Sequence, residues 1–145
     1  MARIKIDLPP KFLFSINIPI RITDINFGGH VANETILSII HEARAKFFQH
    51  LGHDELNFWG VGTIMSDVAI EYKDQIYYGD EVLASVTIGE ITKVAFDLFY
   101  KLEKRSANGK QSTVALAKTW MVCYDYDKKK VVAIPEAAIK KITSQ

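Results

Sequence analysis

The densest run of reactive groups is Thr23-Asp24-Ile25-Asn26-Phe27-Gly28-Gly29-His30-Val31-Ala32-Asn33-Glu34. It sets a carboxylate, a carboxamide, two glycines and an imidazole just ahead of a segment that reads as helix. The Asn, Asp and Gly content marks residues 23–30 as a loop. Gly28 and Gly29 let the backbone turn tightly and let a ligand approach it closely. A helix start beyond them offers unpaired N–H donors and a partial positive charge, which suits negative charge developing on an oxygen. Asn26 is neutral and cannot act as a general base, but it can hold a water or a carbonyl by hydrogen bonds. His30 is the nearest candidate base, since histidine ordinarily titrates at about 6.5.

These groups need a frame. From Asn33 to Leu51 the apolar residues Ile36, Ile40, Ala43, Phe47 and Leu51 recur at three- and four-residue steps, which predicts one long amphipathic helix. Asn33 reads as its N-cap, Glu34 favours its positive end, and Gly52 reads as its stop. Leu37, Ile39 and Phe48 widen the apolar face, so other parts of the fold should largely wrap the helix. Ahead of it, Phe12 to Ile22 reads as a strand after the Pro9-Pro10 break. Beyond it, alternation over Val68–Tyr72, Val82–Ile88, Val94–Leu102 and Val114–Tyr124 predicts strands, with a hairpin at Asn108-Gly109. The strand around Ala115–Cys123 is apolar or small on both faces and should be central. Asp127-Lys128-Lys129-Lys130 reads as a charged turn, and Pro135 as the first residue of a short last helix. The order implies an α+β fold, a curved antiparallel sheet around one long central helix, with residues 1–145 as a single domain. Such long strands leave open edges, so pairing with a second copy is expected.

Composition narrows the partners. With 18 basic and 17 acidic side chains in 145 residues, the chain has no broad field for gripping nucleic acid. Its one cysteine, Cys123, excludes an internal disulfide and suits a reducing compartment, so the expected location is cytoplasmic. The sequence contains no apolar run long enough for a membrane span and no signal-peptide pattern at its start.

The residues that carry the chemistry also carry a resemblance. Residues 23–33, followed by Glu42-Ala43-Arg44, resemble the signature of hot-dog-fold acyl-CoA thioesterases, closest to the 4-hydroxybenzoyl-CoA thioesterase-like branch. That branch shows D-x-D-x-x-G-[HV]-V-x-[NH] before a helix bearing E-A-R. Ile70-Glu71-Tyr72, Tyr78-Gly79-Asp80 and Ile134-Pro135-Glu136 match its later landmarks, so the likeness spans residues 12–142. It implies a homodimer or homotetramer with the active site at the subunit interface and an acyl-CoA substrate. It also implies that the N–H of Asn33 polarises the thioester carbonyl. Asp24, Gly28, Gly29 and Glu34 are then expected around the substrate. No metal is called for, and no cofactor beyond the coenzyme A of the substrate.

One position departs from the pattern. The third residue of D-x-D, a carboxylate that attacks the thioester or activates water, is Asn26 here. Loss of a positioned base costs roughly 10²–10⁴ in rate. His30 then matters more: His30-Val31-Ala32-Asn33 resembles the H-V-N-N of related acyl-ACP thioesterases, which use that histidine. Asn26, His30 and Asn33 are accordingly the expected catalytic set. Two other readings remain open, a non-catalytic acyl-CoA-binding hot-dog protein and an enoyl-CoA hydratase. The hydratases carry D-x-N-P-x-H; here the Asp24–His30 spacing is one residue longer and Phe27 replaces the proline. Asp24 also reads as a loop residue bonding its own backbone. Glu42 can serve only if the cleft reaches two turns along the helix. His41, His50 and His53 read as helix-surface or helix-end residues, and Lys128–Lys130 as a solvated turn.

Overall fold

The computed structural model describes residues 3–106 and 108–144. Its elements are β1 (Phe14–Pro19), α1 (Asn33–His50), β2 (Gly62–Tyr72), β3 (Glu81–Ile91), β4 (Ala95–Arg105), β5 (Gln111–Asp125), β6 (Lys130–Val131) and α2 (Glu136–Thr143). The strands form one antiparallel sheet in the order β1-β3-β4-β5-β2, with β6 on the end of β5. The two-faced strand is β5; it is interior, paired with β4 and β2, but the middle of the order is β4 and β5 lies next to the edge strand β2. β1 and β2 are the open edges.

Period-2 patterning decides which face meets the helix. On β4, Phe96, Leu98, Tyr100 and Leu102 are fully buried, and Lys104 continues the same face. Against them α1 buries Ile36, Ile39, Ile40, Ala43, Phe47 and Phe48. Phe48, Phe58 and Phe96 form an aromatic knot with centroids 5.0 and 5.4 Å apart. Each fully buried apolar side chain stabilises by roughly 1.5–3 kcal/mol, so this seam fixes the helix on the sheet. The wrapping is one-sided: Glu34, Leu37, Ser38, His41 and Glu42 stay exposed on the outer face of α1.

Three boundaries differ from expectation. β1 stops at Pro19, and Ile22–Asp24 form a 3₁₀ turn instead of continuing the strand, because Asp24 draws the chain back onto Arg21. The N-cap of α1 is Ala32, with extended φ and ψ, so Asn33 is the first helical residue and caps nothing. Pro135 is the N-cap of α2, one position earlier than its fixed φ suggested. At the other end of α1 the expected stop holds. Gly52, at φ +87°, donates to the Gln49 carbonyl at 2.9 Å, and His53 N–H donates to that of Phe48 at 2.9 Å.

Candidate active site

The loop before α1 closes on itself. Asn26 N–H donates to the His30 carbonyl at 3.0 Å, Gly29 N–H donates to the Asn26 carbonyl at 3.1 Å, and Ile25 bridges Val31. Within the loop, Gly28 N–H donates to Asn26 Oδ1 at 2.9 Å, an Asx turn of the kind asparagine favours. A Cβ on Gly28 would sit 3.2 Å from Asn26 Oδ1 and 3.6 Å from His30 Nε2. The carboxamide and the imidazole therefore converge on one glycine. Gly29 has φ +85°, which side-chain-bearing residues rarely adopt.

His30 has a defined orientation. Its Nδ1 lies 3.0 Å from the Val31 carbonyl, which can only accept, so the neutral ring carries its proton on Nδ1. Nε2 is left with a free lone pair on the side of Gly28.

The start of α1 is open. Thr35 and Ile36 N–H both donate to the Ala32 carbonyl, while the amides of Asn33 and Glu34 have no acceptor among the described residues. No side chain caps this end. Alanine is among the poorest N-caps, costing about 0.5–2 kcal/mol relative to Ser, Thr, Asp or Asn. Asn33 and Glu34 are exposed, as are Gly28 and Gly29. Exposed aromatic rings gather on the same segments: Phe27 is wholly exposed at the loop tip, Tyr77 bridges His30, and the Tyr72 hydroxyl donates to the Asn33 carbonyl at 3.2 Å.

Asp24 faces another way. Its carboxylate accepts from Arg21 N–H at 2.8 Å and from the Arg21 guanidinium at 3.3 Å, so it pins the 3₁₀ turn. It also lines a groove of about 440 Å³ between β1 and α1, with Asn17, Arg21, Thr35, Ser38 and Glu42. The groove that reaches Glu42 is not the one formed by the loop and helix start. Of the seven expected site residues only Asp24 borders it; Asn26, Gly28, Gly29, His30, Asn33 and Glu34 cluster instead at the loop and helix start.

Two polar clusters were not read from the sequence as such, although Arg44 belongs to its Glu42-Ala43-Arg44 match. Arg44 is buried and bonds Glu55, which also bonds His41, and its guanidinium reaches the Tyr100 hydroxyl at 3.4 Å, itself 2.8 Å from Thr119. Burial works against the charge of Arg44, but Tyr100 and Glu55 outweigh it, so its pKa is raised. Lys104 is the second, an ammonium enclosed by the segment that follows β2. The available signal was periodicity, for Lys104 falls on the inward face of β4. Among the described residues no group of three or more His, Cys, Asp or Glu is placed to hold a metal, and no helix is long and apolar enough to cross a membrane.

Solved structures share this architecture. The 4-hydroxybenzoyl-CoA thioesterase of Pseudomonas sp. strain CBS-3 is 16% identical, with a TM-score of 0.80 over 88% of this chain and 97% of that one. A 1,4-dihydroxy-2-naphthoyl-CoA thioesterase from Synechocystis is 19% identical, with a TM-score of 0.78 over 90% and 95%. A thioesterase from Thermus thermophilus, solved with coenzyme A and zinc, is 22% identical, with a TM-score of 0.79 over 94% and 96%. The fold is therefore the hot-dog fold expected from the sequence. No curated protein sequence matches. A family model does match residues 20–142, which take in the loop, the helix and all but the first strand of the sheet, and by that match the chain belongs to the thioesterase-like superfamily.

Proposed function

We propose that this protein hydrolyses an acyl-CoA thioester at the loop–helix junction. The amides of Asn33 and Glu34 receive the thioester oxygen. His30 Nε2 takes a proton from water, and the water oxygen attacks the carbonyl carbon. The resulting tetrahedral oxyanion is held at the helix start; it collapses to the carboxylic acid, and the coenzyme A thiolate leaves and takes up the proton. One backbone donor of this kind supplies about 2.7–4 kcal/mol of barrier lowering. Asn26 orients the water through its amide, Gly28 and Gly29 let the thioester approach, and Asp24 holds the turn from which the loop springs.

The observation that carries this reading is the uncapped start of α1. A helix end with alanine as N-cap and two exposed, unpaired amides is less stable than it could be, yet it is the arrangement an incoming oxygen requires. The exposure of the site in the single chain fits completion by a second copy, and β2 is an open edge available for pairing. Aryl-CoA esters are the first substrates to try, given the exposed rings of Phe27, Tyr72 and Tyr77 and the names of the structural relatives. The test is release of free thiol from a panel of aryl- and alkyl-CoA esters. Turnover of at least one supports the reading; none across the panel rejects it.

One observation favours binding without turnover: Asn26 Oδ1 is already engaged by Gly28 N–H. In that case acyl-CoA raises the melting temperature with no thiol released, since a ligand of the native state stabilises it.

A further inference from the structure

We infer that Lys104 is a positioning residue for this site, clamping the chain that sets the start of α1. The inference rests on the thioesterase reading for its kinetic consequence, though not for its structural one. Lys104 lies on the inward face of β4, and its side chain is only 8% exposed. Burying an ammonium is costly unless it is fully partnered. Here Nζ donates to the Gln75 carbonyl and lies 3.5 Å from Asp74 Oδ2, 3.9 Å from Asp80 Oδ2 and 5.3 Å from the centre of the Tyr77 ring. All four partners belong to the short connection between β2 and β3, which has no regular structure of its own. The start of the connection is also tied to β5, through the Lys73 and Asp74 amides on the Val114 carbonyl and Ser112 on Asp74, and Lys104 gathers residues 74–80 on one cation.

The gathered segment holds the site. The Ile76 carbonyl, next to the one Lys104 binds, accepts Val31 N–H at 2.8 Å, and Tyr77 bridges His30. Ile76 and Val31 are both buried in the core, so the bond is shielded from water. Tyr72, at the upstream end of the same segment, donates to the Asn33 carbonyl. The path therefore runs from the Lys104 ammonium to Gln75, through Ile76 and Tyr77, to His30 and Val31, and so to the amides of Asn33 and Glu34. Asp80 completes the clamp: its carboxylate accepts Tyr77 N–H at 2.9 Å while facing Lys104. Replacing the ammonium by a methyl end would leave the Gln75 carbonyl and two carboxylates without their shared cation, and the segment would drift from the sheet.

A displacement of about 1 Å at reacting groups can cost on the order of a hundredfold in rate. Lys104→Met, similar in length and without charge, should lower kcat by about tenfold to a hundredfold while KM changes by no more than about threefold. Lys104→Arg should recover most of that loss. The independent readout is amide hydrogen exchange, which reports local opening. In Lys104→Met the peptide covering residues 28–36 should exchange at least about tenfold faster, with Phe96–Leu102 of β4 unchanged. Unaltered exchange in residues 28–36 would overturn the inference. So would an equal loss of protection across the whole sheet, which would mark Lys104 as a stabiliser of the fold alone. If Lys104→Met does not fold, Asp80→Asn and Asp74→Asn weaken the same clamp with the lysine retained, and the same exchange pattern is expected at smaller amplitude. A wild type that hydrolyses no acyl-CoA would remove the function proposed above, yet leave the exchange test able to decide the clamp.

Discussion

The two ends of α1 are built to opposite specifications. At the C-terminus three late carbonyls are satisfied: Leu51 N–H donates to Phe47, Gly52 enters the left-handed region, and its N–H and that of His53 fold back onto Gln49 and Phe48. His53 stacks on Trp59 at 3.7 Å between centroids, and its Nδ1 accepts the Trp59 backbone N–H at 3.2 Å. At the N-terminus, eighteen residues away along the same helix, an alanine stands where a serine or aspartate would serve stability, and two amides face outward. Each end has its own preferred closing residue, Ser, Thr, Asp or Asn at the start and Gly at the stop, and only the stop carries one; the proposed use of the start accounts for the contrast. The closed end stabilises the fold, and the open end is available to a substrate.

Substitutions at the two ends should therefore move different observables. The largest effect is expected at His30. His30→Gln keeps a hydrogen-bonding side chain beside the loop but removes the base, and kcat should fall by about 10²–10⁴ with little change in melting temperature. Next comes Ala32→Asp. A carboxylate at the N-cap would bond the helix-start amides and add charge at the positive end, so stability should rise by about 0.5–2 kcal/mol. Activity should fall by about 10²–10³ as the donors are occupied. Opposite signs for stability and activity at one residue would be hard to obtain if the open end were accidental.

At the closed end the signs should separate differently. Gly52→Ala places a side chain at φ +87° and should cost about 1–2 kcal/mol of stability, with kcat unchanged in the folded protein. A drop in kcat there would erase the division between the two ends.

The smallest effects lie away from the helix. Burial pushes the Asp97 carboxyl up; Lys118 opposes this, and Glu90 and Asp67 add to it. The folded-state value then lies above the unfolded one, so the folded chain binds the extra proton and stability is lost as pH rises through that window. Asp97→Asn should raise the melting temperature at neutral pH, and the gain should vanish at pH below the ordinary carboxylate range. Cys123 is buried, and its thiol is pushed up to about 11, so a thiol reagent should not label the native protein until it unfolds. Coenzyme A release can then be read without background from the protein.

The extent to which this arrangement was legible in the sequence follows from the range of the interactions. The helix, its glycine stop and the inward face of β4 are patterns of near neighbours, and period 3.6 and period 2 expose them directly. The gathering of Asn26, Gly28 and His30 is equally local, spanning five residues of one loop. The cap of α1 was misplaced by one residue because asparagine's preference for that position pointed to Asn33, whereas the extended backbone at Ala32 begins the helix earlier. Lys104 and Tyr72 were not legible as site residues, since their partners lie 29 and 39 positions away and depend on strand register. Asp24 could be read as substrate-binding or structural, and its bonds to Arg21 show what it does within the chain.

Everything proposed for the site depends on the open end of α1 polarising a thioester carbonyl. Isotope-edited infrared spectroscopy of an acyl-CoA labelled at that carbonyl, bound to His30→Gln to slow turnover, measures this bond directly. The carbonyl stretch is expected at clearly lower frequency than in water, restored toward the water value when Ala32→Asp is added. A bound carbonyl with the same frequency in both variants as in free solution would contradict the proposed role of the helix start.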